Sequence, residues 1–113
     1  MRYYLRMDMF TALAEPTRRD ILVLLGTHGQ LSAGEIYTKF TSSPPAISQH
    51  LKVLRDAELV TVEKHAQQRL YRINPQKLSE IEKWLKALTK QWEERFSRLD
   101  AVVEREKRKL KGY

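Results

Sequence analysis

Ser43-Pro44-Pro45-Ala46-Ile47-Ser48-Gln49-His50-Leu51-Lys52-Val53-Leu54-Arg55-Asp56 carries the marks of a helix with one face turned inward and another left for a partner. Ser43 is a capping residue, and Pro44 takes the first helical position, where its missing N–H costs nothing. At 100° per residue, Ile47, Leu51 and Leu54 fall within an arc of about 60° and face a core. Opposite them lie Pro45, Ser48, Gln49, Lys52 and Asp56. A merely solvated face needs no particular chemistry. This one sets small and hydrogen-bonding groups near the helix N-terminus and a cation one turn later, which is what a DNA major groove accepts. Gln49 suits a bidentate pair with adenine, Ser48 a base edge or phosphate, and Pro45 and Ala46 a thymine methyl. Lys52 and Arg55 suit phosphates, and Ser43 stands at the positive end of the helix dipole. His50 falls between the two faces and reads either as a packed or capping histidine or as a further DNA contact.

The flanking segments place this helix. Ser32-x-x-Glu35 reads as a capping box opening a helix over Ser32–Phe40, with Ile36 and Phe40 inward. Only Thr41 to Ser43 separate that helix from the next, so the two form a tight helical pair. After Asp56 the period changes. Leu59–Lys64 and Arg69–Ile73 alternate, with Val60, Val62, Tyr71 and Ile73 on one side and His65–Gln68 as the loop, which predicts a β-hairpin. Lys64, His65, Arg69 and Arg72 lie on or near its outer side, with Lys64 and Arg69 the candidate phosphate contacts. Upstream, a short helix covers Asp8–Leu13, and Pro16 opens a second carrying Ile21, Leu22, Leu24 and Leu25, ended by Gly26 and Gly29. Downstream, Asn74-Pro75 opens a last helix that contains no further Pro or Gly up to about Lys111, roughly 54 Å long at 1.5 Å per residue. The order predicts a mainly α fold with a small β-hairpin, a winged helix-turn-helix. One domain spans 1–113, with a core over 7–75 and a long C-terminal helix over 76–111.

Composition narrows the function classes. The chain has 113 residues, no Cys and three well-separated His, so neither thiol chemistry nor a metal-ligand spacing is visible. No metal and no cofactor are expected, nor a membrane span. MRYYLRMDMF shows no export signal, so the expected compartment is the cytoplasm. Lys plus Arg outnumber Asp plus Glu by 21 to 14, a net +7, which suits an anionic partner. Residues 1–75 hold 10 basic and 7 acidic side chains, while residues 105–111 alone hold 5 and 1, so more than half the excess lies in a tail that is also readable as a solvated helix end. No paired carboxylates, nucleophile–base set or phosphate-binding Gly loop suggests an enzyme.

Two motifs carry a family resemblance. Leu13-Ala14-Glu15-Pro16-Thr17-Arg18-Arg19-Asp20-Ile21-Leu22 resembles the LADPTRLRIL opening of the ArsR-type winged-helix repressors. Pro45-Ala46-Ile47-Ser48-Gln49-His50-Leu51-Lys52-Val53-Leu54-Arg55 is similar to that family's PAVSQHLKVLR recognition helix. The resemblance covers roughly residues 8–75 and implies a homodimeric repressor reading an inverted-repeat operator on double-stranded DNA. The chain departs from the pattern in four places. The cysteine motif of the metal sensors is replaced by Gly34-Glu35-Ile36-Tyr37-Thr38, and the last helix has no His. The usual Gly after the recognition helix is Glu58, and the wing turn also lacks its Gly. Any inducer is then an organic ligand or a protein rather than a metal.

On the last helix, Leu78, Ile81, Leu85, Leu88, Trp92, Phe96 and Leu99 share a stripe that continues through Val103 and Leu110, within about 80° of arc. Its 11-residue spacings suit a straight helix. A small winged-helix core cannot cover so long a stripe, so those residues, with Phe10, are the expected homodimer interface. Two alternatives stay open on the residues alone: a protein-interaction module with a structural winged helix, and a non-specific basic DNA-binding protein.

Overall fold

The computed structural model describes residues 8–111, which divide into two compact units meeting at Leu78 and Ser79. The readings of MRYYLRM and of the last two residues lie outside the described residues. The first unit begins with α1 (Met9–Leu13), whose N-cap Asp8 accepts the Thr11 amide at 2.8 Å. In α2 (Pro16–His28), Glu15 is the cap, accepting the Arg18 amide at 2.9 Å, and Pro16 takes the first helical position. The helix passes straight through Gly26, expected to help end it; one Gly costs a helix interior only about 1 kcal/mol. Gly29 ends it alone, at φ 81°.

A short strand follows, β1 (Leu31–Ser32), and then α3 (Ala33–Tyr37). The Ser32–Glu35 capping box forms in both directions, at 2.9 and 3.1 Å. The helix was expected to reach Phe40 but stops at Tyr37. The Thr38 hydroxyl donates to the Glu35 carbonyl at 2.7 Å and the Lys39 amide turns back to Ile36, tightening the last turn. Phe40 is half-buried rather than in the core.

The Ser43-capped helix is α4 (Pro44–Asp56), and β2 (Val60–His65) and β3 (Gln68–Ile73) form the wing. The loop between them is Ala66-Gln67 alone, two residues shorter than expected, because the ladder runs out to His65↔Gln68. The hairpin is also not alone: β1 pairs antiparallel with β3, giving a three-stranded sheet in the order β1-β3-β2. A two-residue strand has no periodicity to betray it.

The core of this unit lies between the helices and the inner sheet face. Ile21, Leu25, Ile36, Ile47, Leu51, Leu54 and Leu59 are its largest fully buried side chains, each worth about 1.5–3 kcal/mol by removal from water. α4 ends in a Schellman motif: the Leu59 amide returns to the Leu54 carbonyl at 3.0 Å and the Glu58 amide to Arg55 at 2.9 Å. The residue that must be left-handed for this is Glu58, at φ 63°. The second unit is one element, the continuous helix α5 (Pro75–Lys111), whose first turn belongs to the first unit.

Candidate nucleic-acid interface

Burial of Ile47, Leu51 and Leu54, none more than 1% exposed, fixes the rotation of α4. Pro45, Ala46, Ser48, Gln49, Lys52 and Arg55 are consequently all left open to solvent. Ser43 is exposed too, but its Oγ accepts the Ala46 amide at 3.3 Å, so its hydroxyl already works as the cap. Ser48 and Gln49 stand in the first two turns, where a helix entering a groove presents its side chains.

His50 differs from its neighbours. It is half-buried, and its Nδ1 lies 3.3 Å from Arg18 Nη1 and 3.8 Å from Glu15 Oε2. Arg18 in turn donates from Nε to the Ala12 carbonyl at 2.7 Å and from Nη2 to Thr11 at 3.3 Å. One side chain thus ties together the end of α1, the start of α2 and the middle of α4. Sequence reasoning assigned Arg18 no role; its place in the family-like opening motif was the only signal. Glu15 is exposed enough to stay charged. Partial desolvation raises its pKa, but the Arg18 amide, His50 and Thr17 outweigh that and hold it below the ordinary value.

On the wing, strand alternation separates two sets. Thr61, Glu63, His65 and Arg72 share one face, where Glu63 pairs with His65 at 3.3 Å and Arg72 at 3.8 Å. Arg72 also donates to Gln30 at 2.6 Å, so its charge is engaged within the protein. Lys64 and Arg69 stand on the other face, directly opposite one another in the ladder. Both are exposed, and neither forms an ion pair among the described residues. Like charges in register repel, and an anion between them removes that cost.

The residues expected at a dimer interface fall into the two units. Phe10 on α1 is exposed and Leu78 half-buried. Along the rest of α5, Ile81 is buried, while Leu85, Leu88, Trp92, Phe96 and Leu99 stand between 49% and 66% exposed on one stripe, with Val103 and Leu110 continuing it. No group of three or more His, Cys, Asp or Glu with the arrangement of a metal site occurs among the described residues. No described helix is long and apolar enough to cross a membrane.

Comparison with known proteins shows what the chain resembles. Residues 15–62 match the family model for bacterial regulatory proteins of the arsR family. The chain is 37% identical to the transcriptional repressor SdpR of Bacillus subtilis, over 69% of its own length and 86% of that protein. It is 41% identical to the HTH-type transcriptional regulator Rv2034 of Mycobacterium tuberculosis, over 69% of this chain and 77% of that one. Among solved structures, an ArsR-like transcriptional regulator from Rhodococcus sp. RHA1 superposes with a TM-score of 0.72 at 29% identity, over 82% of this chain and 87% of that chain.

Proposed function

The chain belongs to the arsR family of bacterial regulatory proteins and is a DNA-binding transcriptional repressor, and from that premise we propose how it reads its site. A homodimer sets α4 of each subunit into successive major grooves of an inverted repeat, about 34–36 Å apart. Ser48 and Gln49 meet base edges, with Pro45 and Ala46 against thymine methyls. Lys52 and Arg55 hold phosphates beside α4, and Lys64 and Arg69 clamp the backbone at the wing. The observation that carries this reading is the rotation of α4: its buried Ile47, Leu51 and Leu54 leave the polar face no inward role.

The second element of the proposal is the dimer. The α5 stripe leaves Leu85, Leu88, Trp92, Phe96 and Leu99 about half exposed or more, and covering even four such side chains per subunit is worth on the order of 6–12 kcal/mol before entropy losses. A second copy presents the same stripe and satisfies both. On this reading 1–113 acts as one DNA-binding module, 7–75 reading and 76–111 assembling. The relatives are transcriptional regulators and not enzymes, and we assign this chain no catalysis. Its inducer, if it has one, is an organic ligand or a protein, because no cysteine is available to a soft metal.

Selection of duplexes from a random pool by the purified full-length chain tests the reading. The expected outcome is an inverted repeat with half-sites one helical turn apart, bound specifically at moderate salt. Recovery of unrelated sequences, with binding lost as salt rises, points instead to non-specific coating. Failure to retain any duplex leaves the protein-interaction reading.

A further inference from the structure

Arg18 and His50 form a contact in the DNA-reading region whose protons are dictated by chemistry. Two of the guanidinium nitrogens are committed to the α1 carbonyls of Ala12 and Thr11, and Nη1 faces His50 Nδ1 at 3.3 Å. A guanidinium stays protonated and only donates. While the ring is neutral, Nδ1 must therefore accept, and the ring proton must sit on Nε2. Glu15 Oε2, at 3.8 Å from the same Nδ1, is an acceptor and favours the opposite arrangement. Arg18 and Glu15 thus compete for one nitrogen. Nε2, on the far edge of the ring, has no partner among the described residues. Since no buried side-chain nitrogen or oxygen is left unpartnered there, Nε2 reaches solvent. It does so on α4, next to Gln49.

We propose that Arg18 is a positioning residue for DNA recognition: by donating to His50 Nδ1 it holds the ring as the Nε2–H tautomer and turns that N–H outward to an acceptor on DNA. The inference rests on α4 as the DNA-facing helix. The acceptor is a phosphate oxygen or a base-edge acceptor, and both chemistries take the same donor. Without Arg18 the nearest partner of Nδ1 is the Glu15 carboxylate, and the proton moves to Nδ1.

Nitrogen-15 NMR of the imidazole of the labelled full-length chain, at about pH 8 where an ordinary imidazole is neutral, reads the tautomer directly. The wild type is expected to show His50 as Nε2–H, Arg18→Met to show Nδ1–H, and Arg18→Lys, which keeps a donor, to retain Nε2–H. On a duplex selected by the wild type, Arg18→Met and His50→Phe each weaken binding about threefold to tenfold, the worth of one hydrogen bond. The double variant is no weaker than the weaker single. His50→Gln, with a carbonyl for Arg18 and an N–H for DNA, stays close to wild type. Equal losses on selected and unrelated duplexes identify a phosphate acceptor, and losses confined to the selected duplex identify a base edge. The role is overturned by a tautomer that does not respond to Arg18→Met, by additive losses in the double variant, or by His50→Phe binding as tightly as wild type. If Arg18→Met does not fold, the Arg18→Lys spectrum and the His50 variants decide the same question. A wild-type chain that selects no duplex overturns the reading of α4 itself.

Discussion

Asn74 Nδ2 donates to the Glu58 carbonyl at 2.8 Å, joining the turn that ends α4 to the residue that precedes α5. Glu58 is left-handed, a conformation that costs a side-chain-bearing residue roughly 1–2 kcal/mol. Contacts on either side of it hold it there. Asn74 fixes its carbonyl, its own amide closes on Arg55, and Lys77 Nζ lies 3.3 Å from its carboxylate. The Asn74 amide also donates to the Leu59 carbonyl at 2.9 Å, so the same residue braces the start of the wing.

Replacing Glu58 by Gly removes the left-handed penalty and gives up an exposed ion pair worth about 0–1 kcal/mol. Glu58→Gly is expected to stabilise the fold by roughly 0.5–1 kcal/mol, since Gly takes positive φ freely. Glu58→Ala keeps the strain, loses the pair, and is expected to be neutral to slightly destabilising. Urea denaturation of the two variants beside the wild type checks the order; Ala more stable than Gly contradicts the account.

The two kinds of contact proposed for α4 separate by sequence dependence. Gln49→Ala is expected to cost about 1–3 kcal/mol on the selected site and to relax preference at one base position. Lys52→Ala is expected to weaken binding on every duplex and to lower the salt slope by about one unit. Binding isotherms on matched and mismatched duplexes at several salt concentrations distinguish them. An unchanged preference for Gln49→Ala means that the helix enters the groove in another orientation.

The Lys64–Arg69 pair predicts opposite effects on stability and binding. Arg69→Ala relieves a cross-strand repulsion and is expected to raise the stability of the free chain by a few tenths of a kcal/mol. The same change is expected to weaken DNA binding and flatten its salt dependence. A variant that loses stability and keeps its affinity shows that the pair belongs to the fold and not to the wing contact.

On α5, Leu88→Glu combined with Phe96→Glu places charge on the stripe without touching the reading helix. Sedimentation is expected to show a monomer, and affinity for a two-half-site duplex to fall by about 100-fold, the gain that linking two sites supplies. Deleting residues 105–113 removes a net +4 but leaves most of the stripe. That chain is expected to stay dimeric and keep its sequence preference. A wild-type chain that sediments as a monomer overturns the role given to α5.

The helix caps add a pH-dependent part to the stability of the fold. The Thr11 amide lowers the pKa of Asp8, and the Ser32 amide lowers that of Glu35. A carboxyl depressed in the folded state adds stability that is present above its unfolded value and is lost as pH falls through the folded one. Thermal stability is therefore expected to hold above the ordinary glutamate value of 4.5 and to decline below it. Glu35→Gln is expected to flatten that decline; an unchanged pH profile removes Glu35 from it.

Local chemistry carried much of this protein. The period of Ile47, Leu51 and Leu54, the Ser32–Glu35 box, Pro16 and Pro44 at helix starts, and the alternation through Val60–Val62 and Tyr71–Ile73 depend on neighbours along the chain. They placed α1, α2, α4, the hairpin and α5 close to where they lie. The polar face of α4 was legible for the same reason, since burial of one stripe exposes the other. Only the tertiary structure decided that Leu31–Ser32 adds a third strand, because two residues carry no period and their pairing comes from β3, which lies about forty residues on. It decided that Glu58 holds its conformation through Asn74 and Lys77, and that Arg72 is held by Gln30 while Lys64 and Arg69 are not so engaged among the described residues. It decided, too, that His50 faces Arg18 and Glu15. A residue between two faces of a helix is assigned by what packs beside it, and here that neighbour lies 32 positions away in sequence.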